Sequence, residues 1–105
     1  MPSDHTLGPV GQIPPGEGRT FEVGGGRRVA VFRLHDGGVV ATQAECPHRG
    51  GPLADGLLGG SVVLCPLHDR GFDVRTGAPA ADTDCTLRTY PVRTTDGGEM
   101  VLSLD

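Results

Sequence analysis

A chain of 105 residues can build one hydrophobic core but not two that each bury enough surface to stand alone. Only 36% of its residues are hydrophobic, and 18 glycines and 9 prolines interrupt them so often that no helix beyond two or three turns is expected. The net charge is -4, and the nine basic residues, all arginine, are scattered from Arg19 to Arg93, which leaves no footprint for nucleic acid.

The opening MPSDHTLGPV has no basic segment followed by an apolar run, so no signal peptide is expected and the location implied is cytoplasmic. Residues 1–20 are rich in Gly and Pro and end in PPGEGR, which predicts a loosely ordered lead-in closed by a turn. GGG from Gly24 lacks the Lys-Ser/Thr ending of a phosphate loop and reads as a turn. RRVAVFRL (Arg27 to Leu34), HDGG and VVATQ (Val39 to Gln43) predict a hairpin, because Asp-Gly between β-branched runs favours a tight turn. Its second strand leads directly to Cys46. GGPLADGLLGG follows with five glycines in eleven residues, then SVVLC, a short strand ending on Cys65, then FDVRTG, a strand closed by a Thr-Gly turn. LRTYPVRT, DGG and EMVLSL form a second hairpin signal, in which Met100, Leu102 and Leu104 alternate with Val101 and Ser103. The apolar runs VAVF and VVL fall far below the roughly 20 residues of a membrane span. The expectation is a single all-β domain over residues 1–105 with no membrane segment.

The one repeated feature carries the chemistry. Cys46-x-His48 is followed, after sixteen residues, by Cys65-x-x-His68. Two thiolates and two imidazoles could hold a structural zinc, but the familiar finger places both cysteines in one pair and both histidines in the other. Here each loop supplies one of each, which suits two metals bridged by two loops: thiolates on one iron, imidazoles on the other. A structural zinc module remains the remote alternative. Cys85 stands alone in DTDCTL and reads as a buried or idle thiol. His5 and His35 read as surface residues. Arg49 and Arg70 lie within two residues of the paired histidines and are either solvated or a positive rim for an acidic partner. No Ser-His-Asp set or carboxylate pair stands in comparable order.

CPHRGGPL, CPLH and FDVRTG together resemble the Rieske iron-sulfur proteins, and the resemblance spans about Phe21 to Leu104. It implies an antiparallel β-sandwich with a small two-loop cluster-binding subdomain, here about residues 44–74, and one [2Fe-2S] cluster. Carried onto this chain, Cys46 and Cys65 bind one iron through sulfur, and His48 and His68 bind the other through a ring nitrogen. Gly50, Gly51 and Gly71 would let backbone amides approach the cluster sulfurs. Two neutral imidazoles in place of two thiolates remove two negative charges, which makes adding an electron easier and raises the potential.

Two departures stand out. Asp69 follows His68 where the family usually has Gly, and a carboxylate there would oppose reduction. The cysteines that respiratory-complex members place beside each ligand pair are absent, with Arg49 and Leu67 among the residues in those regions, so the chain resembles the soluble, ferredoxin-like branch. A one-electron centre with no flavin motif relays electrons, and no catalysis is expected from this chain alone; a non-redox adaptor is the other role considered. Unbroken CPHRGGPLADG, Leu67 and the tail CTLRTYPVR look most like the small subunit of assimilatory NAD(P)H nitrite reductase, whose partner would be a larger sirohaem and flavin subunit in nitrate assimilation. The alternative is the ferredoxin of an aromatic-ring-hydroxylating dioxygenase, whose partners would be the dioxygenase and its reductase.

Overall fold

A computed structural model describes residues 3–47, 51–66, 71–81 and 85–104. Regular structure among them consists of strands and 3-10 turns. The strands are β1 (Ser3–Pro9), β2 (Glu17–Val23), β3 (Arg27–Arg33), β4 (Val39–Gln43), β5 (Leu57–Gly59), β6 (Val62–Leu64), β7 (Gly71–Asp73), β8 (Pro79–Ala81), β9 (Thr89–Tyr90), β10 (Val92–Thr94) and β11 (Glu99–Leu104). They form three antiparallel sheets, ordered β1-β11-β10, β2-β3-β4-β9 and β5-β6-β7-β8. No helix among the described residues is long and apolar enough to cross a membrane.

The apolar run VAVF explains how the sheets stack. Successive side chains of a strand point to opposite faces, so an uninterrupted apolar run suits a strand buried on both. Val29 and Val31 of β3 join Ile13, Ala41, Met100, Leu102 and Leu104 in a core against the β1-β11-β10 sheet. Ala30 and Phe32 join Leu53, Val63, Phe72 and Val74 in a second core against the β5–β8 lobe. The sheet containing β3 is therefore the middle of three layers. Phe32 and Phe72 are fully buried, and each such side chain contributes about 1.5–3 kcal/mol through surface removed from water.

The expected hairpin of β3 and β4 is present, with its turn closed by the Leu34 amide donating to the Gly38 carbonyl at 2.8 Å and with Gly37 at φ 93°. The β10–β11 hairpin is present as well. Residues 3–20 differ from expectation. Instead of a loose lead-in, β1 pairs with β11 from Ser3↔Leu104 to Pro9↔Glu99 around a bulge between Thr6 and Gly8, and Ile13 is fully buried. Its order comes from a partner at the far end of the chain, which local composition does not report. LRTYPVRT is also split: Thr89 and Tyr90 extend the middle sheet, whereas Val92 to Thr94 join the outer one. Pro91 sits at the crossing, where its missing N–H costs no ladder bond, and its carbonyl accepts from the Ser103 amide at 2.9 Å. In FDVRTG only Phe72 and Asp73 are strand. Asp73 Oδ1 accepts the Arg75 amide and its carbonyl accepts the Gly77 amide, which bends the chain into a turn.

Candidate metal centre

Both cysteines stand at the necks of loops. After β4 the chain reaches Cys46, whose amide donates to the Gly51 carbonyl at 2.8 Å; Glu45 bridges to Pro52, and the Leu53 amide donates to the Ala44 carbonyl at 3.0 Å. This short ladder closes the first loop at its base. The second loop closes in the same way, with Leu64 opposite Gly71 in the β6–β7 ladder and Cys65 following Leu64. Leu53 and Phe72, both fully buried, anchor the two necks in one apolar cluster, and that cluster also contains Cys46 and Cys65, at 2% and 0% exposure. Two thiols from separate loops are thus brought together behind an apolar wall, with Gly51 and Gly71 buried beside them.

The other two expected ligands, His48 and His68, fall in sequence between these necks and lie outside the described residues, as do Arg49, Gly50, Leu67, Asp69 and Arg70. Cys85 is half-buried against the same apolar cluster, in line with a packed thiol. His35 is exposed, whereas His5 is half-buried beside Gly24.

Several residues that support the site carry no sequence signal. Gln43 donates from Nε2 to the Glu45 carbonyl and accepts the Arg88 amide on Oε1, both at 2.8 Å, while its own amide donates to the Arg88 carbonyl. This ties the segment before β9 to the approach to Cys46. Arg28 pairs with Glu45 on the other side. Gly77, at φ 81°, lets the Leu87 carbonyl come so close that a Cβ would lie 2.3 Å from it, and the Leu87 amide donates to the Gly77 carbonyl at 2.8 Å. A Gln at the end of a strand and a Gly in a turn are common. Only their partners, 45 and 10 residues away, distinguish them.

The seam between the lobe and the middle sheet is closed by Arg75, which pairs with Asp36 of the β3–β4 turn. The Gly38 amide first, and Arg75 second, hold the Asp36 carboxyl below the usual carboxylate range.

This donor set fits a two-iron cluster. Buried thiols at the necks of two loops, in one apolar cluster, can share one iron, and the intervals between neck residues leave one histidine on each loop for the other. The apolar wall lowers the local dielectric, so the charge removed by using imidazoles counts for more than it would in water.

Known proteins agree with this architecture. The profile of the Rieske [2Fe-2S] domain matches residues 3–91. The anthranilate 1,2-dioxygenase ferredoxin subunit of Burkholderia cepacia is 36% identical over 94 residues, covering 89% of this chain and 85% of that one. Among solved structures, a protein assigned as the NADH-dependent nitrite reductase small subunit of Mycobacterium tuberculosis superposes with a TM-score of 0.91 at 25% identity, over 100% of this chain and 97% of that one. The ferredoxin of carbazole 1,9a-dioxygenase from Nocardioides aromaticivorans IC177 superposes with a TM-score of 0.84 at 35% identity, over 95% and 96%. With the profile extending from β1 to Pro91 and two cysteines at the necks of its paired loops, this chain belongs to the Rieske family of [2Fe-2S] electron-transfer proteins.

Proposed function

We propose that this chain is the ferredoxin component of an aromatic-ring-hydroxylating dioxygenase system, receiving single electrons from a reductase and passing them to the terminal oxygenase. The observation that carries this reading is the 36% identity to a dioxygenase ferredoxin subunit over most of both chains. The details that resemble a nitrite reductase subunit, Leu67 and the tail CTLRTYPVR among them, are a few positions, whereas the identity extends across the domain. The reading therefore moves to the alternative that the motifs placed second.

In this proposal Cys46 and Cys65 hold one iron and His48 and His68 the other. When bound, such a cluster supplies reversible one-electron transfer. The residues around it hold it rather than react. The two neck ladders fix the thiols, Leu53, Val63 and Phe72 exclude water behind them, and Gln43 keeps the first loop attached to the middle sheet.

The second reading, a nitrite reductase small subunit, is supported by the superposition over the whole chain. Stopped-flow reoxidation separates the two. Photoreduced protein is mixed with the oxygenase component of carbazole 1,9a-dioxygenase or with the sirohaem large subunit of a nitrite reductase. Faster transfer to the oxygenase is the expected result; faster transfer to the sirohaem subunit would overturn the reading.

A further inference from the structure

Among the described residues one large apolar side chain is left exposed: Leu57, at 77%. A single surface leucine is ordinary by itself, but three features set this one apart. It opens β5, a three-residue edge strand of the cluster-bearing lobe with no charged side chain of its own. It lies opposite Leu64, the residue before Cys65. It also borders a groove of about 350 Å³ where the lobe meets the start of β2, between Glu17 and Gly18 on one side and Ala54 to Gly56 on the other.

The groove follows from close packing at its glycines. A Cβ on Gly18 would lie 2.6 Å from the Phe32 ring, and one on Gly56 would lie 2.1 Å from the Leu64 carbonyl oxygen. The first contact lies within the middle sheet and the second within the lobe; the two layers meet where the same Gly18 Cβ would lie 3.3 Å from the Ala54 Cα, so glycine at position 18 lets them approach. Two carboxylates flank the leucine. Glu17 and Asp55 are both exposed, and neither takes part in the ion pairs among the described residues, which engage Asp4, Asp36 and Glu45.

We propose that this groove is a docking site for the electron-accepting partner protein, which seats Leu57 in an apolar socket rimmed by Lys or Arg side chains that face Glu17 and Asp55. The proposal rests on the electron-relay reading. Redox encounters use small interfaces, often below about 1,200 Å², so one apolar anchor with a charged rim is enough to orient a short-lived complex. Anchoring one residue before Cys65 in the facing ladder also fixes the partner beside the lobe that holds the cluster, not beside the outer sheet.

The test compares wild type with Leu57→Ser and with the double variant Glu17→Gln/Asp55→Asn. Asp96→Asn/Glu99→Gln, on the outer sheet, is the control for total charge. Photoreduced protein is mixed with three acceptors, namely the carbazole 1,9a-dioxygenase oxygenase, a nitrite reductase sirohaem subunit, and cytochrome c, whose apolar haem edge is ringed by lysines. Ferricyanide, which needs no docking, reports the intrinsic rate. Leu57→Ser is expected to slow bimolecular transfer to the protein acceptors about tenfold; the carboxylate pair slows it about fivefold and flattens its salt dependence. Ferricyanide oxidation and the control variant remain at wild-type rates. Unchanged rates in both test variants, with every protein acceptor that wild type reduces, would overturn the docking site. So would sedimentation showing that Leu57→Ser abolishes self-association while transfer rates are unaltered. Which of the two physiological acceptors wild type prefers judges the function reading separately.

Discussion

The two cores flanking the middle sheet are built differently. Between the middle and outer sheets, strands of six and seven residues interlock Val29, Val31, Met100 and Leu102 in a wholly apolar layer. On the opposite side the lobe has strands of three residues, a Gly-rich approach, and a core that includes two thiols. Short strands give few ladder bonds, and buried cysteines contribute less apolar contact than leucines. The base is therefore expected to stand on its own packing, and the lobe to need crosslinking by metal, much as a small domain relies on a staple.

The strongest way to break this comparison is to remove a ligand. His68→Ala is expected to lose iron and labile sulfide and to raise amide hydrogen exchange across residues 46–72, while β1, β3 and β11 keep their protection. Uniform loosening of the whole chain, or none, would contradict the division into a self-sufficient base and a stapled lobe.

A core truncation on the other side should act in the opposite sense. Met100 is fully buried between the outer and middle sheets, so Met100→Ala should cost about 2–5 kcal/mol of global stability in denaturant titration. The molecules that remain folded should keep the visible spectrum of the cluster. A spectrum altered as much as stability would mean that the two cores are coupled through β3.

Gly56→Ala probes the lobe without touching a ligand. The new methyl must displace the Leu64 carbonyl, one residue before Cys65, and such overpacking costs about 1–3 kcal/mol. The thermal midpoint should fall, and the cluster's visible circular dichroism should change because the Cys65 neck moves.

The seam contributes least. Asp36 has a lowered pKa, so the stability it contributes is present above the ordinary carboxylate range and is lost as pH falls through that lowered value. Both partners are well exposed, so the effect is small. Asp36→Asn should lower the thermal midpoint slightly at neutral pH, and the difference from wild type should vanish in acid. A difference that persisted there would assign the loss to the turn geometry instead of the charge.

The pattern of what the sequence revealed has a physical basis. Cys46 and Cys65 are legible because their chemistry requires particular residue types at a restricted spacing, and the β3–β4 hairpin because its turn and alternation are local. β1 is not legible: SDHTLGP has weak alternation, and its order comes from pairing with β11 and from Ser103 donating to Asp4 across 99 residues. The Gln43 clamp is equally silent, since an amide side chain acquires its role only when Arg88 arrives beside it. VAVF is legible as an apolar run, but its place in two cores depends on residues distant in sequence that cover both faces of β3.

The central claim is the unequal ligation of two irons by the two loops. Pulsed EPR on the reduced wild-type protein, with ¹⁵N-labelled histidine, addresses it directly. Couplings from two histidine nitrogens on a [2Fe-2S] signal are the expected result. A cluster without histidine coupling, or stoichiometric zinc with no iron, would contradict it.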